Sequence, residues 1–173
     1  MIPKCCLWFL NNQNKTLLKK LSASILVLIS VFVFAGCKKD KACEAKSPAS
    51  EAAQIQAFAT ANGINAVADV SGLYFEIISM GSGPKANSNS RIKITYTGTL
   101  MNGQIFDQAQ TPNTEPWPLN SLIKGWIIGI PMINEGGHIK LIIPSSLAYG
   151  CAPYYSIPGN SVLYFDIHLV SVQ

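Results

Sequence analysis

The sequence predicts an α+β fold, an antiparallel sheet with one short helix covering a face, and three observations predict it. From residue 72 onward, apolar residues recur at every second position in successive short segments, the period of half-buried strands. Turn chemistry separates those segments: Gly81-Ser82-Gly83-Pro84, Asn87-Ser88-Asn89-Ser90 and Asn102-Gly103. The one helical stretch among them, residues 119–126, stays short because Gly125, Gly129 and Pro131 prevent a long helix.

Taken in order, residues 1–36 read as a targeting segment and not as part of the fold. Lys15, Lys19 and Lys20 form a positive n-region, and residues 21–35 run apolar, broken only by Ser22, Ser24 and Ser30. That run falls short of the roughly 20 residues a membrane span needs and suits the h-region of a secretory signal. Residues 1–14 are long for an n-region, which leaves a later translation start open. Phe34-Ala35-Gly36-Cys37 resembles a lipobox, in which an apolar residue and two small ones precede a cysteine. The resemblance implies cleavage before Cys37, lipidation of that residue and a lipid anchor in the membrane of the cell envelope, the outer membrane first. An ordinary signal peptide or an N-terminal membrane anchor is the alternative.

Residues 37–50 are polar and small and read as the tether between lipid and domain. Residues 51–71 supply a short helix and a linker, the helical pattern itself covering 50–62. Ser47 or Ser50 can cap it, Glu51 suits its first turn, and Asn62-Gly63 ends it. Ile55, Phe58 and Ala59 make a narrow apolar stripe that either docks on the following domain or mediates dimerisation; a monomer with a docked stripe is the expectation. Residues 72–173 form the folded domain. Leu73, Phe75 and Ile77 alternate first, then Ile92, Ile94 and Tyr96, then the segment Ile105-Phe106-Asp107. Residues 108–118 hold three prolines and read as a loop or bulged edge. Residues 139–143 read as a buried strand. Leu163, Phe165, Ile167 and Leu169 make the last strand, with Asp166 and His168 facing outward.

The formal charge of +4 belongs to the unprocessed chain. Removing Lys4, Lys15, Lys19 and Lys20 from the 13 basic residues leaves nine, against 9 acidic ones. A near-neutral domain has no basic field to attract nucleic acid. Of the five cysteines, Cys43 and Cys151 alone remain once Cys5, Cys6 and the lipidated Cys37 are set aside. They can bridge in an oxidising compartment. Two unpaired thiols are the favoured reading, because Cys43 lies in a segment that reads as flexible. No metal site is expected: His138 and His168 are far apart in sequence, and no cysteine pair has zinc-ligand spacing.

Four blocks carry a resemblance. They are Ile94-Thr95-Tyr96-Thr97-Gly98 with Asn102-Gly103 and Phe106-Asp107; Leu122-Ile123-Lys124-Gly125-Trp126; Gly136-Gly137 with Ile142-Ile143-Pro144 and Leu147-Ala148-Tyr149-Gly150; and Ile157-Pro158, Asn160 and residues 163–166. In order and spacing, over roughly residues 72–172, they resemble the domain of FKBP-type peptidyl-prolyl cis-trans isomerases. That resemblance implies a curved antiparallel sheet wrapped around one short helix, with a pocket between them.

Carried over position by position, it implies that Tyr96, Phe106, Asp107, Ile123, Trp126, Tyr149 and Phe165 act on the substrate, with Trp126 as floor and Asp107 as the one acid inside. Trp117, which stands where the family usually has phenylalanine, would bind substrate together with Leu122 and Ile157. The implied activity is isomerisation of X-Pro bonds in exported polypeptides, without cofactor or metal. Proline-containing chains are the implied clients and macrolides the implied inhibitors. Two departures favour an alternative, a prolyl-peptide-binding chaperone module without catalysis. Residues 108–116 lack the arginine or lysine that often follows the Phe-Asp pair. Residues 151–156 lack the usual glycine-rich stretch, and Gly159 replaces a proline.

Overall fold

The structure, a computed structural model, describes residues 43–173. The signal segment and Cys37 lie outside the described residues. The chain enters through helix α1 (Pro48–Ala61) and then forms strands β1 (Val67–Ala68), β2 (Tyr74–Ser79), β3 (Arg91–Leu100), β4 (Ile105–Ala109) and β5 (Trp117–Pro118). Helix α2 (Lys124–Gly129) follows, then strands β6 (His138–Ile143) and β7 (Leu163–Val172). All pairings are antiparallel, in the order β1-β2-β6-β7-β3-β4, with β5 added to the edge of β3. This is the α+β architecture the alternating pattern predicts.

The period of two decides which residues meet. On one face, Ile94 and Tyr96 of β3, Ile139, Leu141 and Ile143 of β6, and Phe165, Ile167 and Leu169 of β7 form the main core with Trp126 and Ile130. Helix α2 covers that face; it is only six residues long, as the glycines require, and a 3-10 turn at Leu119–Ser121 precedes it. The opposite face carries Tyr74, Ile142 and Tyr164, which the registers place side by side. Helix α1 covers these, with Ile55 and Ala59 buried and Phe58 at 5.5 Å from Tyr164. The apolar stripe is therefore spent on the chain's own sheet.

The helix begins at Pro48, capped by Ser47, whose side chain accepts from the Ser50 N–H. Glu51 in its first turn is 1 % exposed, and its Oε2 accepts the Ser145 N–H at 2.8 Å. Ser145 is also buried and opens the 3-10 turn Ser145–Leu147 that leads to Tyr149. Glu51→Ala would leave a buried donor without an acceptor, a loss of about 1–3 kcal/mol by urea unfolding. Glu51→Gln, which keeps an acceptor oxygen, should lose less.

Two segments differ from expectation. Cys43 and Cys151 form a disulfide, with Cα atoms 5.5 Å apart across 108 positions. The segment before α1 is not free: Glu44 accepts from the Asn160 side chain at 3.0 Å, which brings Cys43 to the loop after Tyr149. Residues 108–118, read as loop or bulged edge, contain both strand and an ordered clamp. Asn113 accepts the Ile94 N–H at 2.9 Å and donates to the Ile92 carbonyl at 3.2 Å, standing in for a strand partner beside the irregular step between Lys93 and Ile94. Among the described residues, no helix is long and apolar enough to cross a membrane.

Candidate active site

Between α2 and the concave face of the sheet lies a cavity of about 280 Å³. Its base is Trp126, 4 % exposed, held edge-on by Tyr96 and Phe165 at centroid distances of 5.1 Å each. Phe106 stands edge-on to Phe165 at 5.5 Å. This crowding explains a glycine inside β3. A Cβ on Gly98 would come within 2.7 Å of the Phe165 ring and 2.8 Å of the Phe106 ring, so only glycine lets both aromatics cross the strand. Trp117, Leu122 and Ile123 close one side and Tyr149 the other.

Nine of the ten carried-over pocket residues line this cavity. Ile157 does not; it is buried and lines an adjoining cleft that shares Phe106, Asp107 and Tyr149. Two further residues, Ser121 and Tyr154, also line the cavity. Tyr154 stacks on Tyr149, with ring centroids 4.2 Å apart and planes 8° apart. The aromatic pair Tyr154-Tyr155 in a loop of otherwise smaller residues was the one sequence signal for it. Gly159 also has a reason: a Cβ there would strike the Cys151 carbonyl, so the loop as it runs admits no proline at that position.

Among the described residues, Asp107 is the only carboxylate lining the cavity, and it accepts the Tyr96 hydroxyl at 2.6 Å. It is an exposed residue at the mouth and not an acid inside, because β4 is an edge strand. Hydration there supplies what a buried carboxylate would require from a cation, and among the described residues no lysine or arginine pairs with it. Burial first, then the hydrogen bond to Asp107, raises the Tyr96 pKa. Burial first, then Tyr154 and Asp107, raises that of Tyr149. Both phenols are therefore protonated donors at neutral pH. Among the described residues, the Ile123 N–H at the start of α2 has no acceptor, and its carbonyl takes the Trp126 and Ile127 N–H groups.

The raised phenols carry a prediction for alkaline stability. The folded state holds these protons more tightly than the unfolded chain, whose tyrosines titrate near 10. Their contribution is complete below about pH 10 and is lost as pH rises through the folded values. The urea midpoint should stay level to about pH 10 and then fall, less steeply in Tyr96→Phe.

A short helix packs across a concave antiparallel sheet and encloses an aromatic cavity with one carboxylate at its mouth, which is the class of fold and pocket the sequence resemblance implies. Residues 83–170 match the family described as FKBP-type peptidyl-prolyl cis-trans isomerase. The chain belongs to that family. It is 40 % identical over 105 residues to the FKBP-type peptidyl-prolyl cis-trans isomerase FkpA of Aeromonas hydrophila, covering 60 % of this chain and 39 % of that one. The crystal structure of FkpA from Escherichia coli superposes with a TM-score of 0.65 at 33 % identity, covering 73 % of this chain and 59 % of the other. A peptidyl-prolyl cis-trans isomerase from Pseudomonas syringae gives 0.61 at 28 % identity, covering 75 % and 99 %. The chain spans about two fifths of the length of the curated relatives it matches.

Proposed function

We propose that this protein is a peptidyl-prolyl cis-trans isomerase that assists the folding of exported polypeptides in the cell envelope. The observation that carries the proposal is the aromatic cavity floored by Trp126 and walled by Tyr96, Phe106 and Phe165. An X-Pro bond isomerises slowly because amide resonance sets a barrier of about 18–20 kcal/mol. The twisted transition state has lost that resonance, and its carbonyl is less polar. Removing water from the planar amide raises the ground state relative to the twisted one. Each 1.36 kcal/mol of such difference is about tenfold in rate.

In this reading the proline ring sits over Trp126. The Ile123 N–H and the Tyr149 hydroxyl hold substrate carbonyls. Asp107, oriented by Tyr96, faces the carbonyl that rotates. Trp117 and Leu122 bind the ring's outer edge, and Ile157 supports the rim from the adjoining cleft. No nucleophile or proton shuttle is required.

The test is proline isomerisation by residues 43–173 across peptides that differ in the residue before proline. Acceleration that a macrolide ligand blocks supports the enzyme. Binding without acceleration, by a demonstrably folded domain, leaves the chaperone module. The missing cation beside Asp107 and the altered loop at 151–159 favour that second reading.

The envelope location rests on the lipobox-like 34–37 segment and on the Cys43–Cys151 bridge, which persists in oxidising compartments. Residues 1–36 are the signal peptide, Cys37 takes the lipid, and the polar tether ends where the chain is fixed to the domain 72–173 through α1 and the bridge. Cys37→Ser should move the protein from the membrane fraction to the soluble one; continued membrane association would reject the lipid anchor.

A further inference from the structure

On the face of the sheet turned away from the cavity, β6 and β7 bring together three side chains that sequence distance kept apart. His138 and His168 are direct cross-strand partners. Asp166, two positions before His168, projects from the same face. Its Oδ1 lies 2.6 Å from His138 Nε2 and 4.0 Å from His168 Nε2. One ligand atom from each residue falls within a 4.8 Å span, and the two imidazoles stack at 3.8 Å.

We propose that His138, Asp166 and His168 form a binding site for a borderline divalent transition metal, Zn²⁺ first. The donor set selects the class. Two imidazoles and one carboxylate suit Zn²⁺, Cu²⁺ or Ni²⁺, whereas Mg²⁺ and Ca²⁺ favour all-oxygen sites. Tetrahedral zinc with bonds of about 2.0–2.1 Å places its ligand atoms about 3.3 Å apart. The two contacts to Asp166 bracket that spacing, and all three ligand atoms lie within 4.8 Å of one another.

The surroundings permit it. Asp166 Oδ2 accepts the Tyr164 hydroxyl at 3.5 Å, which leaves Oδ1 toward the imidazoles. Thr95 and Thr97 of β3 flank His168 and Asp166 without charge. Lys140 is the register partner of Asp166 and Glu76 that of Lys140, yet no lysine comes within 4.0 Å of Asp166 among the described residues. His168 is 55 % exposed and Asp166 33 %, which gives the ion entry and leaves water as a fourth ligand. A bound ion would clasp β6 to β7 behind Leu141 and Phe165, which are paired on the cavity side.

The experiment is calorimetric titration of the full chain with Zn²⁺ alone, together with imidazole NMR signals. The expected result is one equivalent that shifts both histidines together. His168→Ala, which removes an exposed ring, should weaken binding by more than about tenfold, the smallest loss typical for an outer-shell partner. Asp166→Asn should weaken it as well, and the thermal stabilisation by Zn²⁺ should vanish in both variants. The full chain also carries Cys5, Cys6 and Cys37. Zn²⁺ binding unchanged in both variants would place the ion elsewhere and overturn the proposal, as would the absence of any binding.

Discussion

Reduction of the Cys43–Cys151 bridge is expected to lower the stability of the folded domain by about 3–5 kcal/mol. The bridge closes a loop of 108 positions that contains every named strand except β7. In the chain-entropy account, a loop near 100 residues removes unfolded-state freedom worth about 4.7 kcal/mol, and bridges typically contribute about 2–4. The folded side of the balance changes less, because Asn160 still holds Glu44 and α1 still buries Ile55. Urea unfolding with and without dithiothreitol measures the difference. Cys43→Ser should match the reduced wild type in both conditions. Equal midpoints for oxidised and reduced wild type would show that the bridge carries no stability. A looser loop should also be felt at the cavity, since Cys151 leads directly into Tyr154 and its stack on Tyr149.

Phe165→Ala should lower stability by about 3–5 kcal/mol, the usual cost of deleting a buried aromatic ring. Phe165 is 3 % exposed and touches the rings of Tyr96, Phe106 and Trp126, so the loss opens the centre of the cavity wall. If the aromatic cavity accelerates isomerisation, kcat/KM should fall at least about tenfold, because as little as 1.36 kcal/mol of lost differential stabilisation has that effect. Phe165→Leu separates the two outcomes. It keeps most of the volume and loses the edge-to-face contacts, worth about 0.5–1.5 kcal/mol each. A folded Phe165→Leu variant with reduced kcat/KM points to the wall itself. A folded Phe165→Ala variant with unchanged turnover would place the chemistry elsewhere.

Much of the fold was legible along the chain because its signals are local. Alternation in β3 and β7 follows from the two-residue period of strands, and the same period sorts residues between the two faces. Ser47, Pro48 and Asn62 mark the ends of α1 through capping chemistry that acts within one turn. The glycines after Lys124 limit α2 in the same local way. Pocket residues were legible by a different route, as ordered blocks resembling a family, and the structure brings nine of them around one cavity.

What the sequence alone could not determine depends on which distant segments become neighbours. Cys43 meets Cys151 only after α1 docks on the far face of the sheet and Asn160 takes the Glu44 carbonyl. Asp107 is exposed because β4 lies at an edge, a matter of strand order that its apolar neighbours in sequence do not encode. Tyr154 becomes a cavity residue because its loop folds back to stack it on Tyr149. His138, Asp166 and His168 share one spot because β6 and β7 pair in that register and no other; a slip of one residue would turn the triad to opposite faces. Periodicity and capping are written in neighbouring residues. Register, strand order and loop return are set by packing across the whole domain, and only the tertiary structure decides them.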